Sequence, residues 1–255
     1  MIKWKLLLTT LPFVLVALAV KLVLRYVLQF EGIVEFSDIG VVLTGAVFLI
    51  GFMLSGTMAD YKESEKLPGE LACAIEGFED DLVHATVAKA DLDVAKMRAG
   101  ARELAAVVHA WLLKKATQTA VYDAISKAQQ LAFAAERAGA GGHATRAMSE
   151  LQSLRKTVTR IGVISRTGFL ASGYALLDTL VTLTIALMFV AKFKSTIGEL
   201  ILVPFVTLIF VYMVRLIRDV DDPFDYTVDA HGQAKRGAAE VELIPIDDLN
   251  ERWRR

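Results

Sequence analysis

The sequence predicts an all-α membrane protein with four transmembrane helices and a cytosolic helical block. Of its 255 residues, 55% are hydrophobic and the mean hydropathy is +0.46, which is more apolar than a typical soluble domain. Four segments have the roughly 20 apolar residues that a helix needs to cross a bilayer. The charged residues are concentrated between residues 59 and 166 and after residue 215. The net charge of −1 does not favour a nucleic-acid partner, so the expected environment is the lipid bilayer.

The first predicted transmembrane helix covers residues 1–30. Residues 6–20 are apolar, and the apolar pattern resumes after Lys21 and Arg25, which share one helix face at i and i+4. The alternative is a cleaved signal peptide with Ala17-Leu18-Ala19 as its cleavage site. The apolar residues beyond Lys21 favour a spanning helix.

The second predicted helix covers residues 39–68 and runs from the membrane into the cytosol. Residues 39–59 carry no charge, whereas residues 60–68 read DYKESEKLP. The third and fourth helices are predicted within residues 167–217. Residues 167–191 contain one charge, Asp178, and residues 197–216 have Glu199 and Arg215 near their ends.

Lysine and arginine near the ends of the spans predict the orientation. Basic residues precede the first and third spans and follow the second and fourth, which places these ends in the cytoplasm. Only Lys192 and Lys194 stand against this rule. The protein is therefore expected to be a multi-pass protein of the inner or plasma membrane with both termini cytoplasmic.

Residues 69–166 predict a cytosolic helical region. Alanine-rich stretches with apolar residues three and four positions apart are typical of amphipathic helices, and the run AGAGGH at residues 138–143 is the clearest break. Residues 218–255 form a cytosolic tail. Its apolar-acidic patch, VELIPIDDL, is expected to dock on another subunit or along the cytosolic helices.

No pattern for catalysis or metal binding is present in the sequence. Cys73 is the only cysteine, which excludes an intrachain disulfide, and its context predicts a small buried residue. Asp81 and His84 have the spacing of a carboxylate-x-x-His pair, but a second such pair is missing. Phosphate-loop, nucleophile-elbow and dinucleotide motifs do not occur. We therefore expect no enzyme activity, no metal and no cofactor.

Three places in the chain resemble the bestrophin family of anion channels. In the second helix Thr44, Phe48 and Phe52 follow the family spacing of i, i+4 and i+8, Gly51 precedes the last of them, and Leu67-Pro68 follows at about the expected distance. Lys21 and Arg25 resemble the two basic residues that end the family's first helix. The last span carries an early proline, Pro204, and ends in Asp222, Pro223 and Phe224, as the family's last helix does.

The resemblance implies a homopentamer around a central pore that conducts chloride or other small anions. It assigns the pore neck to Thr44, Phe48 and Phe52, where apolar rings would gate by dewetting. The alternative is that Phe48 and Phe52 face lipid or a neighbouring helix. The chain would then be a non-conducting, membrane-anchored scaffold or partner-binding protein.

The sequence departs from the family pattern in three positions or segments. Asp60-Tyr61-Lys62 replaces the Arg-Trp-Trp signature after the second helix, and Thr44 stands where the uppermost neck residue is usually apolar. Phe224 is followed by Asp225-Tyr226, with Asp229 further on, and not by the glycine and dense acidic cluster of the calcium-gated members. This pattern does not favour calcium control.

Asp178 is a carboxylate within a predicted span, so it should face protein or water and have a partner. The candidates are Lys21 or Arg25 if their depths agree, a threonine or the Tyr174 hydroxyl, or protonation. A structural role is preferred, because a bare carboxylate in an anion pathway would repel the ion. A pore-facing or proton-sensitive site is the functional alternative.

Overall fold

A computed structural model describes residues 2–166, 171–228, 234–235 and 240–254. These residues divide into two compact units. Unit 1 comprises Met1–Tyr61 and Thr167–Asp222, and unit 2 comprises Lys62–Arg166 and Pro223–Arg255. The start of the third predicted span, residues 167–170, and Asp229 of the tail lie outside the described residues.

Unit 1 holds the apolar helices. In chain order they are α1 (Ile2–Leu22), which continues as a π-helical turn (Val23–Val27), α2 (Phe36–Ser64), α7 (Ala171–Val190) and α8 (Thr196–Asp221). Two short strands, β1 (Val34–Glu35) and β2 (Ala191–Lys192), pair in parallel, and we call this end of unit 1 the strand end. Within the described residues, four helical segments are long and apolar enough to cross a membrane.

The core of unit 1 lies between α2, α7 and α8. It consists of large apolar side chains together with alanine: Ile39, Ala46, Ile50, Met53, Leu177, Val181, Met188, Ala191, Val203, Val206, Phe210, Val214 and Ile217. Helix α1 packs on α8 and α7. Ser195 caps α8, because its hydroxyl oxygen accepts a hydrogen bond from the Gly198 amide at 3.1 Å.

Unit 2 is a bundle of amphipathic helices. It contains α3 (Leu67–Ala88), α4 (Val94–Leu112), α5 (Gln118–Arg137), α6 (Gly141–Ile164) and α9 (Ile244–Arg254), with a two-stranded antiparallel pair, β3 (Thr227–Val228) and β4 (Ala234–Lys235). Helices α3 and α6 pack together, as do α5 and α6, and α4 packs on both α3 and α5. Asp93 and Thr117 cap α4 and α5 with their side chains.

Alanine and glycine allow close packing inside unit 2. Ala101, Ala105, Ala128 and Ala132 are buried on the facing helices α4 and α5. A Cβ atom at Gly100 would overlap the end of the Leu131 side chain, so alanine would require that side chain to move. At the edge of the bundle a hydrogen bond from the Arg160 guanidinium holds the pKa of Glu63 below its ordinary value.

The tail docks on helices of its own chain. Helix α9 packs against α3 and α4, with Ile246 and Leu249 fully buried. Arg252 donates to Glu76 at 2.6 Å, and His109 Nε2 lies 3.0 Å from Asp247 Oδ1. Of the two sequence-based expectations for the tail, the structure therefore shows packing along the helices of the predicted cytosolic region.

Gly32 is expected to contribute to the stability of the strand end, because its backbone conformation and its close neighbours favour glycine. Its φ is +91°, and a Cβ there would lie 2.7 Å from the Ala191 carbonyl and the Lys192 amide nitrogen. We expect Gly32→Ala to reduce the free energy of unfolding by about 3 kcal/mol, through backbone strain plus overlap. Gly139→Ala is the matched control, since Gly139 has φ +85° and only the end of the Lys89 side chain nearby, so about 1 kcal/mol is expected. Equal shifts of the thermal midpoint in detergent would contradict this account.

Candidate functional site

Helix α2 has one buried face and one exposed face. Ile39, Ala46, Ile50 and Met53 are buried in the core of unit 1. Thr44, Phe48 and Phe52 lie on the opposite face, and the two phenylalanine side chains are 72% and 73% exposed in the single chain. Residues four apart on a helix share one side and are separated by about 6 Å along the axis. We call Thr44, Phe48 and Phe52 the α2 stripe.

The surroundings of the α2 stripe are open. Apart from the backbone of α2 itself and the adjacent residues, no atom of the described residues lies within 4 Å of the position that a Cβ atom would take at Gly45 or Gly51. Two exposed phenylalanines with space around them require something to cover them, whether lipid, another helix or the side chains of further copies around an axis.

The hydroxyl group of Thr44 is engaged within its own helix. It donates to the Gly40 carbonyl at 2.9 Å, so its hydrogen is directed along the helix and not away from it. Thr44 consequently presents a less polar surface than its residue type indicates. Thr44 therefore differs less from the apolar residue that is usual at this position than the sequence suggests.

Lys21 is buried at the strand end of unit 1, with only 3% of its surface exposed. Its ammonium group donates to the carbonyl oxygens of Phe189 at 2.9 Å and Ala191 at 3.0 Å, and more weakly to that of Met188 at 3.3 Å. Glu199 Oε1 lies 3.2 Å from the same nitrogen. Lys21 thus satisfies carbonyl groups at the end of α7, where the helix dipole favours a cation.

Arg25 completes this cluster. Its guanidinium donates to Glu199 Oε2 and, at 2.8 Å, to the Thr196 hydroxyl. Phe193 lies under the Lys21 ammonium at 5.3 Å and stacks on Phe36 with a centroid distance of 5.1 Å. The contacts of Lys21 and Arg25 therefore connect the end of α1 to the end of α7 and, through their ion pairs with Glu199, to the start of α8.

Asp178 pairs with Arg218, and neither Lys21 nor Arg25 is its partner. Arg218 Nη2 lies 2.6 Å from each carboxylate oxygen of Asp178, and its guanidinium is 5.8 Å from the Tyr174 ring. Both side chains of the pair are about half exposed. The paired charge supports the structural role that the sequence favoured for Asp178.

Sequence reasoning missed the roles of Glu199 and Arg218. In the sequence Glu199 is only a charge near the end of a span, and Arg218 is one of the basic residues that follow the fourth span. The positions of these charges could have indicated their pairing. A carboxylate that begins one span and basic residues that end another are expected at the same membrane surface.

From Pro223 onward the chain belongs to unit 2. Asp222 ends α8 as its C-cap, whereas Pro223 and Phe224 are buried. The Pro223 carbonyl accepts from the Val241 amide at 3.0 Å, and Asp225 forms an ion pair with Lys114. This part of the tail is thus built into the bundle through ordinary protein contacts.

The other polar residues that the sequence singled out make ordinary contacts with neighbouring side chains. Asp81 accepts from Arg146 at 3.1 Å, and the rings of His84 and His143 lie 6.0 Å apart. In the part of the chain that the structure describes, no three His, Cys, Asp or Glu side chains are arranged to hold a metal ion. His231 lies outside the described residues.

The expectation that Cys73 is buried was wrong, because its side chain is exposed. The buried residues of α3 include Leu71, Ile75, Phe78 and Leu82, which recur at three- and four-residue spacing. Residue 73 is two positions from Leu71 and so lies on the other side of the helix.

These elements define a membrane protein of the α class whose apolar helices lie in one unit. Comparison with solved structures identifies its fold. The structure matches that of a bacterial bestrophin homologue from Klebsiella pneumoniae with a TM-score of 0.77 and 13% identity, over 98% of this chain and 97% of that chain. A variant of the same homologue matches with a TM-score of 0.75 and 13% identity, over 98% of each chain. A structure described as a membrane protein matches with a TM-score of 0.72 and 14% identity, over 98% of this chain and 97% of that one.

The chain therefore has the bestrophin fold over almost its whole length. No model of a protein family matches its sequence, and no curated protein matches it either. The resemblance that a few motifs carried is confirmed at the level of fold, with a sequence that has diverged widely.

Proposed function

We propose that this protein is a bestrophin-like homopentameric anion channel for chloride or other small anions, with its neck formed by the α2 stripe. The proposal rests on the exposed face of α2. Its core-facing residues are buried against α7 and α8, while Phe48 and Phe52 project from the unit with almost three quarters of their surface exposed. A helix that lines a symmetry axis has this division into a packed face and a face left for the other copies.

Five copies around an axis would place each stripe residue in a ring. The rings of Thr44, Phe48 and Phe52 would follow one another at intervals of about 6 Å. Apolar rings of this kind gate by dewetting, because a small decrease in radius removes the water that an ion needs in order to pass. The neck is therefore both the narrowest part of the pore and its gate.

Two carboxylates of unit 1 are paired with cations, which is compatible with an anion pathway along α2. The carboxylate of Asp178 is balanced by Arg218, and that of Glu199 by Lys21 and Arg25. All five residues belong to α1, α7, α8 or the π-helical turn, and the α2 stripe itself carries no charge. These two carboxylates are therefore compensated by cations and do not oppose an anion that passes along α2.

The proposed location is the inner or plasma membrane, with four passes and both termini in the cytoplasm. The orientation rests on the lysines and arginines near the span ends. It places both termini and residues 69–166 in the cytoplasm.

Calcium is not expected to control the channel. Asp225 is engaged by Lys114, and Tyr226 is buried with its hydroxyl donating to the Val241 carbonyl at 2.7 Å. Chloride flux into proteoliposomes should therefore change less than twofold between excess chelator and millimolar calcium. A rise of tenfold or more on adding calcium would contradict this expectation.

Flux measurements test the proposed function directly. Proteoliposomes loaded with a chloride-sensitive dye should report uptake well above that of protein-free liposomes, with uptake driven by a set membrane potential. The non-conducting scaffold is the other candidate, and it predicts uptake equal to that of the protein-free liposomes. Flux indistinguishable from this background in correctly inserted protein would exclude the channel.

A further inference from the structure

A cavity of about 530 Å³ opens at the strand end of unit 1, beside the buried Lys21–Arg25–Glu199 cluster. Ligand sites in proteins commonly have volumes in this range. Its lining consists of two cations, one carboxylate, one amide and three aromatic side chains: Arg25, Lys192, Glu31, Gln29, Tyr26, Phe30 and Phe193. The cavity is distinct from the α2 stripe and shares no residue with it.

The cavity has a surplus of positive charge on one side. Lys21 and Arg25 share the single carboxylate of Glu199, so the cluster as a whole keeps one positive charge. Arg25 has five N–H groups, of which it donates two to Glu199 and Thr196 among the described residues. Its side chain is 36% exposed, so the remaining N–H groups can reach a ligand in the cavity.

The cavity also contains one negatively charged side chain, Glu31, and its contact with the nearest cation is weak. The carboxylate of Glu31 lies 3.9 Å from Lys192 Nζ, which is beyond hydrogen-bond distance. The two side chains are 84% and 56% exposed. Both can therefore turn to a ligand without losing a strong interaction. The cavity thus offers two anion-binding groups and one cation-binding group, which lies 3.9 Å from Lys192.

An exposed apolar stripe of α1 and the π-helical turn leads to the cavity. Val16, Val20, Val23 and Val27 are exposed at spacings of four, three and four residues, which places them along one side of the helix. Tyr26, next to Val27, is exposed and lines the cavity. A ligand in the cavity would therefore have a polar end among charges and an apolar part along this stripe.

We propose that this cavity binds the phosphoethanolamine headgroup of a membrane phospholipid. Arg25 and Lys192 would donate to the phosphate oxygens, because charge-assisted hydrogen bonds to guanidinium and ammonium groups are the usual means of holding phosphate. The carboxylate of Glu31 would accept from the headgroup ammonium. The acyl chains would lie along the valine stripe of α1.

A free inorganic anion uses only part of this arrangement. It would have no group for Glu31, whose charge opposes it, and no contact with the valine stripe. A purely anionic headgroup would also leave the carboxylate without a partner. The zwitterionic headgroup with N–H donors matches both charges, so the cavity should prefer it.

Native mass spectrometry of the detergent-purified protein would test the assignment. The protein is titrated separately with phosphatidylethanolamine, phosphatidylglycerol and phosphatidylcholine of the same acyl chains, and the bound lipids per subunit are counted. Phosphatidylethanolamine should bind most tightly. Lys192→Ala should weaken its binding roughly tenfold, the loss of one charge-assisted contact. Lys194→Ala is the matched control on the same loop, since Lys194 does not line this cavity.

A second variant separates the headgroups. Glu31→Gln should remove the preference for phosphatidylethanolamine over phosphatidylglycerol while leaving binding of the latter unchanged or stronger. Equal affinity of all three lipids for the unmodified protein would overturn the proposal, as would unchanged binding in Lys192→Ala.

Two soluble probes distinguish a membrane lipid from a free ligand. Inorganic phosphate and glycerophosphoethanolamine should bind at least tenfold more weakly than the intact phospholipid, because they lack the acyl chains that contact α1. Either probe binding as tightly as the lipid would show a site for a free anion or headgroup and would overturn the lipid assignment. None of these measurements involves ion flux, so the outcome is independent of the proposed channel function.

Discussion

Replacing Phe48 and Phe52 together by alanine is expected to raise chloride flux through the reconstituted protein roughly tenfold, which corresponds to a barrier lower by about 1.4 kcal/mol. The two side chains would form successive apolar rings, and removing them widens the neck. A wider neck holds water more readily and lowers the energy that an anion needs to pass. The measurement is potential-driven chloride uptake into proteoliposomes with equal amounts of inserted protein.

Phe205→Ala is the matched control for this experiment. Phe205 is an exposed phenylalanine on α8, with 57% of its surface exposed, so its replacement removes the same side chain from another helix of unit 1. Its flux should equal that of the unmodified protein. Unchanged flux in the Phe48/Phe52 double variant would remove these residues from the gate.

Glu199→Ala is expected to destabilise the protein by about 3 kcal/mol or more. The substitution leaves Lys21 buried among carbonyl groups without its carboxylate and deprives Arg25 of the same partner. Breaking a buried ion pair by removing one member is costly, because the remaining charge has lost its compensation. The thermal midpoint of unfolding in detergent, followed by circular dichroism, measures the effect.

Glu35→Gln provides the comparison for Glu199→Ala. Glu35 belongs to β1 at the same end of unit 1, but its side chain is exposed, so its replacement should change stability by no more than about 0.5 kcal/mol. If Glu199→Ala shifted the midpoint as little as Glu35→Gln, the cluster would not hold α1 to α7 and α8.

Local patterns in the sequence were enough to predict the apolar parts of α2 and α8, whereas the first helix was predicted over residues 1–30 and α1 ends at Leu22, before a π-helical turn. Residues 39–59 carry no charge and lie within α2, and residues 197–216 lie within α8. The spacing of Thr44, Phe48 and Phe52 placed them on one helix face, where the structure has them. These are properties of a single helix, and the period of 3.6 residues determines them.

The bounds of the second helix were less predictable. A single helix over residues 39–68 was expected, but α2 ends at Ser64 and α3 begins at Leu67, after Lys66. Pro68 lies in the first turn of α3, where its missing N–H costs no hydrogen bond. The proline thus lies at the start of a new helix and not, as predicted, at the end of the preceding one.

Side-chain partners far apart in the chain could not be predicted. Lys21 and Glu199 are separated by well over half of the sequence, and their contact depends on how α1, α7 and α8 pack. The same holds for Asp178 and Arg218, for which a different set of partners was expected. Periodicity gives the face on which a residue lies, but not which residue of another helix faces it.

The symmetry of the detergent-purified particle tests the central claim most directly. Single-particle images viewed along the membrane normal should show fivefold averages, and a reconstruction should place Phe48 and Phe52 around the axis. A monomer, a dimer or any other symmetry would contradict the account, as would a pentamer in which these two side chains face lipid.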